Sequence, residues 1–211
     1  PRMPSDAYLA IWDLVPDADE AAIRDHANLP PGAAKTLFGY RPWVVAAMLS
    51  VPPCETARKQ AGAATLDETI ARQAEKQGST LVGLETVEEQ LSVLSGMPLE
   101  LQTKYLVEVA RLGHRATDYF ATLVSLYAQR RVSAYLPLMQ TLEPLDADGK
   151  AMLAFVEEDL TATRNRTMMR RAADILEHGN AFIAVGALHL PGNDGLVELI
   201  RKAGYTVTPV N

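Results

Sequence analysis

A chain of 211 residues, 48% hydrophobic and 22% charged, can bury one real core and carry a helical subdomain besides. A net charge of −6, with no basic run beyond Arg130–Arg131 and Arg170–Arg171, which read as solvated helix positions, argues against nucleic acid as the main partner. The single cysteine, Cys54, excludes an intrachain disulfide and a CxxC zinc site, and no stretch approaches the ~18 apolar residues of a membrane span. The sequence opens on PRMPSDAYLA, without an initiator Met. That fits a chain from which an export signal has been removed, so periplasmic, exported and cytoplasmic locations all stay open.

The first forty residues read as helices joined by turns. SDAYLAIWDLV has helical spacing through Leu9, Ile11 and Trp12, and DADEAAIRDHANL has the acidic start that suits a helix N-terminus. LPPGAAKTLFGY is a connection, after which Pro42 begins a helix that Pro52–Pro53 ends. Thr65 with Glu68 forms a capping box, opening a helix that bears Leu66, Ile70 and Ala74 on one face and closes at Gly78. STLVGLE (79–85) is a short apolar run that reads as a buried strand ending in Glu85. Thr86 with Glu89 is a second capping box, and its helix stops at Gly96.

From Pro98, taken as a first helical residue, to His178 the pattern is helical. It has apolar stripes through Leu101 and Tyr105, Tyr119 and Phe120, Met152 and Phe155, and Met168, Met169 and Ala172. These stripes read as core. Gly179 ends the block, and AFIAVGALH (181–189) is a second buried strand. LPGNDG is a turn with Asp194 as the N-cap, GLVELIRKAG a short helix, and YTVTPV a last strand. The expected fold is therefore α/β: a small, mixed, largely parallel sheet with flanking helices. A large helical insertion, residues 97–178, lies between the GLE strand and the GALH strand of a single domain covering 1–211.

Two strands thus end in groups capable of chemistry, Glu85 and His189, and each passes at once into a turn and a helix. In parallel sheets, ligands sit beyond the carboxyl ends of the strands. Neighbouring parallel strands would bring Glu85 and His189 together, to share a divalent metal or divide acid and base roles. The competing reading is bland: a glutamate charged at a helix start and a histidine hydrogen-bonded in a turn. Gly83 and Gly186 lie inside the strands, where glycine often marks close backbone approach. Arg164 and Asn165 lie on a helix that otherwise faces the core. A buried arginine there needs an anion, whether Glu85, another carboxylate or a substrate. His26, His114 and His178 have polar, helical surroundings and read as surface residues, and Cys54 has no histidine near it in sequence.

GLETVEEQ (83–90), the Arg164, Asn165, Met168 triplet and FIAVGALHLPGNDGLVELIRKAGYTVTPV (182–210) resemble the TraB/PrgY/GumN family. YRPWVVA (40–46) and LDETI (66–70) resemble its intervening segments, so the likeness covers nearly the whole chain. The family is similar to the Tiki metalloproteases and sits near the erythromycin esterase and ChaN-like proteins. The resemblance implies a metal-dependent hydrolase of peptidase or esterase type, using Mn, Co or Zn on a small-molecule or peptide substrate. Glu85 and His189 would be the metal-site residues, and Arg164 an oxyanion or substrate clamp. Glu89, Gln90, Asn165 and Gly186 would support them. Tiki-like members use two GxxH motifs, and this sequence has one, Gly186–His189. The resemblance therefore implies that the sequence starts after the family's first strands, leaving His189 without its histidine partner and this fragment inactive or weak. An exposed sheet edge would then favour a homo-oligomer. The alternative it offers is a non-catalytic binding or assembly factor, linked to pheromone regulation or exopolysaccharide production. Haem binding, by analogy with ChaN-like proteins, finds no pattern at Tyr40 or Tyr135.

Overall fold

The structure, a computed structural model, describes residues 15–24, 26, 39–113, 115–142 and 146–210. The reading of SDAYLAIWDLV, the LPPGAAKTLF connection and His114 fall wholly or almost wholly outside these residues. The described residues divide into two compact units, one drawn from residues up to 64 and 94–122, the other from 65–93 and 123 onward. No helix among them is long and apolar enough to cross a membrane.

The first unit is helical. It contains α1 (Asp17–Arg24), α2 (Pro42–Leu49), α3 (Pro53–Gln60), α6 (Leu99–Leu112) and the first half of α7 (Arg115–Ala128). Proline at the first position of α2 and α3 fits, because the amide it removes is one that a helix start leaves unpaired. Pro98 caps α6 from outside the helix instead of opening it. Val15 and Ile23, Val45, Ala46 and Leu49 of α2, and Leu106, Val107, Val109 and Ala110 of α6 close into one aliphatic core. At its edge Asp19 is buried, and Arg111 pairs with both its oxygens at 2.8 and 2.9 Å. His26 is also buried, against the expected surface placement, and burial pulls its pKa below the ordinary value.

The second unit holds α4 (Leu66–Lys76) and most of α5 (Val87–Gly96). After the end of α7 come α8 (Tyr135–Leu142), α9 (Ala147–Glu157), α10 (Thr163–His178) and α11 (Leu196–Lys202). A π-helical turn, Glu158–Ala162, joins α9 to α10. Both capping boxes form. Thr65 accepts from the Glu68 amide at 3.2 Å and Glu68 from the Thr65 amide at 2.7 Å, with the same reciprocal pair at Thr86 and Glu89. Gly179, at φ 72°, ends α10 in the left-handed region that glycine enters freely.

The α/β expectation is not met: among the described residues there is no β-strand and no sheet. Residues 79–85, 181–186 and 205–210, each expected as a strand, are irregular, and Ala187–His189 is a single 3-10 turn. The physical reason is pairing. A strand exists only when a neighbour completes its hydrogen-bond ladder. Here the backbone groups of 80–85 and 181–185 meet no backbone partner among the described residues. Only one side of these segments is covered. Leu84, Ile183, Val185 and Val207 line an apolar cavity of about 100 Å³ against Met168, Ala172 and Leu196 of α10 and α11. Residues 79–83 face outward as a run, with Val82 61% exposed, and Phe182 before Ile183 is 80% exposed. The segments expected as buried strands are thus largely exposed, and their inward residues mark a layer on helices and not a ladder. The sheet edge that suggested a homo-oligomer is absent with the sheet. Asp194 likewise does not cap α11; Gly195 stands at that position, without a side-chain cap.

Candidate functional site

In the second unit the GLE turn, the start of α10 and the GALH turn bring five of the expected residues together. Glu85 is nearly buried, its side chain 5% exposed, and Arg164 grips it in a two-pronged pair. Arg164 Nε donates to one carboxylate oxygen at 2.9 Å and Nη2 to the other at 2.7 Å. Such fork-to-fork pairs are the strong class of charge-assisted hydrogen bond. Gln90 adds a hydrogen bond, and the Arg164 bonds, foremost among several causes, hold the Glu85 pKa below the usual carboxylate range. Arg164 Nη1 donates at 3.3 Å to the carbonyl of Leu160, inside the π-helical turn. That turn is where α9 passes into α10, and π-turns of this kind frequently accompany functional sites. Gly83 matters locally, since a Cβ there would lie 3.1 Å from the Glu85 carbonyl oxygen.

Asn165, the next residue of α10, is fully buried and reaches the other way. Its Nδ2 donates to the backbone carbonyls of His189 at 3.2 Å and Asp194 at 2.7 Å, while its Oδ1 lies 2.7 Å from His189 Nδ1. His189 is therefore tied at both ring and backbone to one amide. Burial pulls the His189 pKa below its ordinary value; the positive Arg164 nearby acts in the same direction and Glu85 opposes both. Burial thus favours the neutral imidazole, and the hydrogen bond that holds its ring is the one at Nδ1. The GNDG turn closes tightly on this network. A Cβ at Gly195 would come within 2.4 Å of the backbone oxygens of Leu190 and Pro191, so only glycine fits. Gly186, by contrast, would make only an ordinary 3.5 Å contact with the His189 ring.

Glu89 lies outside the Glu85–His189 cluster but joins it through α10. Arg171, two turns beyond Arg164, donates to both Glu89 oxygens at 2.7 and 2.6 Å and to the Leu84 carbonyl at 2.8 Å. Arg171 first, then the Thr86 amide, lower the Glu89 pKa to about 2. The sequence reading treated Arg170–Arg171 as solvated and so missed Arg171 as a partner. The signal was present in the seven-residue spacing from Arg164 to Arg171, which puts both on one helix face. The Gly195 constraint and the Asp194 carbonyl left no comparable trace. Of the other described histidines, His26 belongs to the first unit, and His178, exposed, has Nδ1 2.6 Å from the Asp174 carbonyl.

Whether these residues fit a divalent metal depends on their free donors. Catalytic zinc sites use three protein ligands. No group of three His, Cys, Asp or Glu side chains converges among the described residues. Of the expected pair, Glu85 already accepts from Arg164 and Gln90, which leaves His189 Nε2 as the open donor. The described residues do not make a metal site by themselves.

The model of the TraB/PrgY/gumN family matches residues 9–209. Among curated proteins, the chain is 28% identical over 187 residues to "Metalloprotease TIKI1" of Danio rerio, covering 78% of this chain and 37% of that protein. It is 25% identical over 175 residues to "Metalloprotease TIKI1" of Xenopus tropicalis, covering 71% and 34%. It is 24% identical over 192 residues to "Metalloprotease TIKI2" of Danio rerio, covering 78% and 36%. The chain thus spans 34% to 37% of the length of these relatives. No solved structure matches it.

Proposed function

The chain belongs to the TraB/PrgY/gumN family, and from that premise we propose that it is a hydrolase-type member acting on a peptide or ester carbonyl. One observation carries the reading: the GxxH histidine, His189, is buried with Nδ1 engaged by Asn165, beside the Glu85–Arg164 pair, in a setting whose burial favours the neutral imidazole. A neutral imidazole can take a proton from an attacking water and return it to the leaving group, a role worth about 10²–10⁴-fold in rate. Arg164 and Glu85 keep that imidazole in a fixed electrostatic setting, the cation favouring its neutral form. Mn²⁺, Co²⁺ or Zn²⁺ enters this reading only with donors beyond the described residues. Ester and peptide substrates should be screened with the purified chain, with each of these ions and with chelator. Hydrolysis that falls about 10²-fold or more in His189→Ala supports the reading. No hydrolysis under any of these conditions overturns it.

A second reading, a non-catalytic binding or assembly factor, draws support from the saturation of the two carboxylates. Glu85 and Glu89 each have both oxygens held by an arginine, as they would be in a site kept for its shape. The same screen separates the two readings.

A further inference from the structure

Asn165 is fully buried, and its two polar atoms face different chemistry. Nδ2 lies against two backbone carbonyls, of His189 at 3.2 Å and Asp194 at 2.7 Å, and carbonyls only accept. The amide therefore cannot be turned over, because its oxygen would then face two oxygens. With the amide group so placed, Oδ1 is the atom 2.7 Å from His189 Nδ1, and an amide oxygen also only accepts. The ring nitrogen in that bond must carry the hydrogen.

We propose that Asn165 is a positioning residue that locks His189 as the Nδ1–H tautomer and so leaves Nε2 as the nitrogen with a free lone pair. The ring nitrogen that works is set by the bond the other nitrogen makes. Here that bond comes from an uncharged amide, itself anchored to the backbone on both sides of the PGN turn, at residues 189 and 194. A carboxylate partner would favour the imidazolium. An amide selects the tautomer without adding charge to a buried site that already holds the Glu85–Arg164 pair. Gly195 belongs to the same device, since its close approach to the backbone of residues 190 and 191 holds the Asp194 carbonyl over the amide. The consequence for catalysis rests on the reading of His189 as the working base; the tautomer itself does not.

The test is a long-range ¹H–¹⁵N correlation spectrum of the full chain labelled with ¹⁵N-histidine, at pH 7, with His189 assigned by the signal lost in His189→Gln. Nδ1 of wild-type His189 is expected as the protonated, pyrrole-like nitrogen and Nε2 as the bare, pyridine-like one. Asn165→Ala, which loses the acceptor, is expected to shift the population toward Nε2–H. Asn165→Asp, which keeps an oxygen at Nδ1 but loses both donors to the backbone, is expected to keep Nδ1 protonated. A wild-type His189 protonated at Nε2 overturns the proposal, whether or not either variant folds, and so does an Asn165→Ala protein that keeps the Nδ1–H tautomer. On the same samples, any hydrolysis should fall about 10–100-fold in Asn165→Ala, the range for partners that orient a working histidine. An Nδ1–H His189 in a protein that hydrolyses nothing supports this inference while overturning the hydrolase reading.

Discussion

In the first unit the core cluster is aliphatic: Ala46 and Leu49 of α2 are inaccessible to solvent, and α6 covers them with Leu106 and Val109, while α6 also buries one amide, Gln102, whose Nε2 donates to the Met97 carbonyl. In the second unit the inaccessible side chain of α10 is an amide, Asn165, one residue from an arginine paired with a nearly buried carboxylate. The apolar faces of that unit are thinner, and its irregular segments leave Phe182 and Val82 largely in solvent. Burial in that aliphatic cluster follows from area, which is non-directional and tolerant of rearrangement. Burial in the second unit depends on every donor meeting its acceptor, because an unpaired polar or charged group inside a protein is costly. Both units bury an amide and an ion pair, but in the second the amide, Asn165, meets an imidazole beside the Glu85–Arg164 pair, and that is where the candidate site lies.

Three measurements would break or sharpen that contrast. Arg164→Ala should have the largest effect, about 3–5 kcal/mol of lost stability by urea denaturation, because it strands the Glu85 carboxylate in a poorly solvated place. Adding Glu85→Gln to it should recover part of the loss, since the stranded charge is gone. If the single variant proves neutral, the ion pair is not organising the second unit. Leu49→Ala in the first unit should cost about 2–5 kcal/mol, and no second substitution of a charged residue should rescue it. The difference in rescue, more than the size of either loss, separates directional from non-directional burial.

The smallest effect is on the acid side. His189 has a folded pKa below the unfolded value of 6.5. Between those two values the unfolded chain binds more protons, so stability rises with pH there and is lost as pH falls through the folded value. Glu85, lowered from 4.5, and Glu89, lowered to about 2, extend the loss to more acidic conditions with the same sign. His26 adds a contribution of the same direction from the first unit. Midpoints of urea unfolding followed from pH 7 to pH 5 should therefore fall in the wild type and fall less steeply in His189→Gln. An equal slope in both would assign the histidine contribution to His26.

Much of the local structure was legible in advance, for reasons that stay within a few residues. The two Thr–Glu boxes, the proline that opens α2 and the glycines that close helices act through bonds spanning at most one turn, whereas Pro53, read as ending a helix, also opens α3. The choice of Glu85, Arg164 and His189 also came from local cues joined to the motif resemblance, and the structure brings all three into one cluster. What local cues could not supply was partnership. Arg164 alone was compatible with a substrate, Glu85 or another carboxylate, and the distance across 79 residues selects Glu85. Arg171 looked solvated until Glu89 appeared opposite it.

The sheet failed for the same reason. Apolar alternation in Ile183 and Val185 is a property of one segment, but a strand is a property of two, and no second segment pairs with it among the described residues. The amino-acid sequence by itself determined the helices, their ends and the chemical types available at the GLE and GALH turns, because capping, propensity and apolar periodicity are short-range. Only the tertiary structure decided that Asn165 turns its oxygen to His189, that both carboxylates are held by arginines, and that the apolar segments lie unpaired on α10 and α11. Those outcomes depend on which groups meet across long loops, and hydrogen bonds and ladders acquire their energy only when both partners arrive.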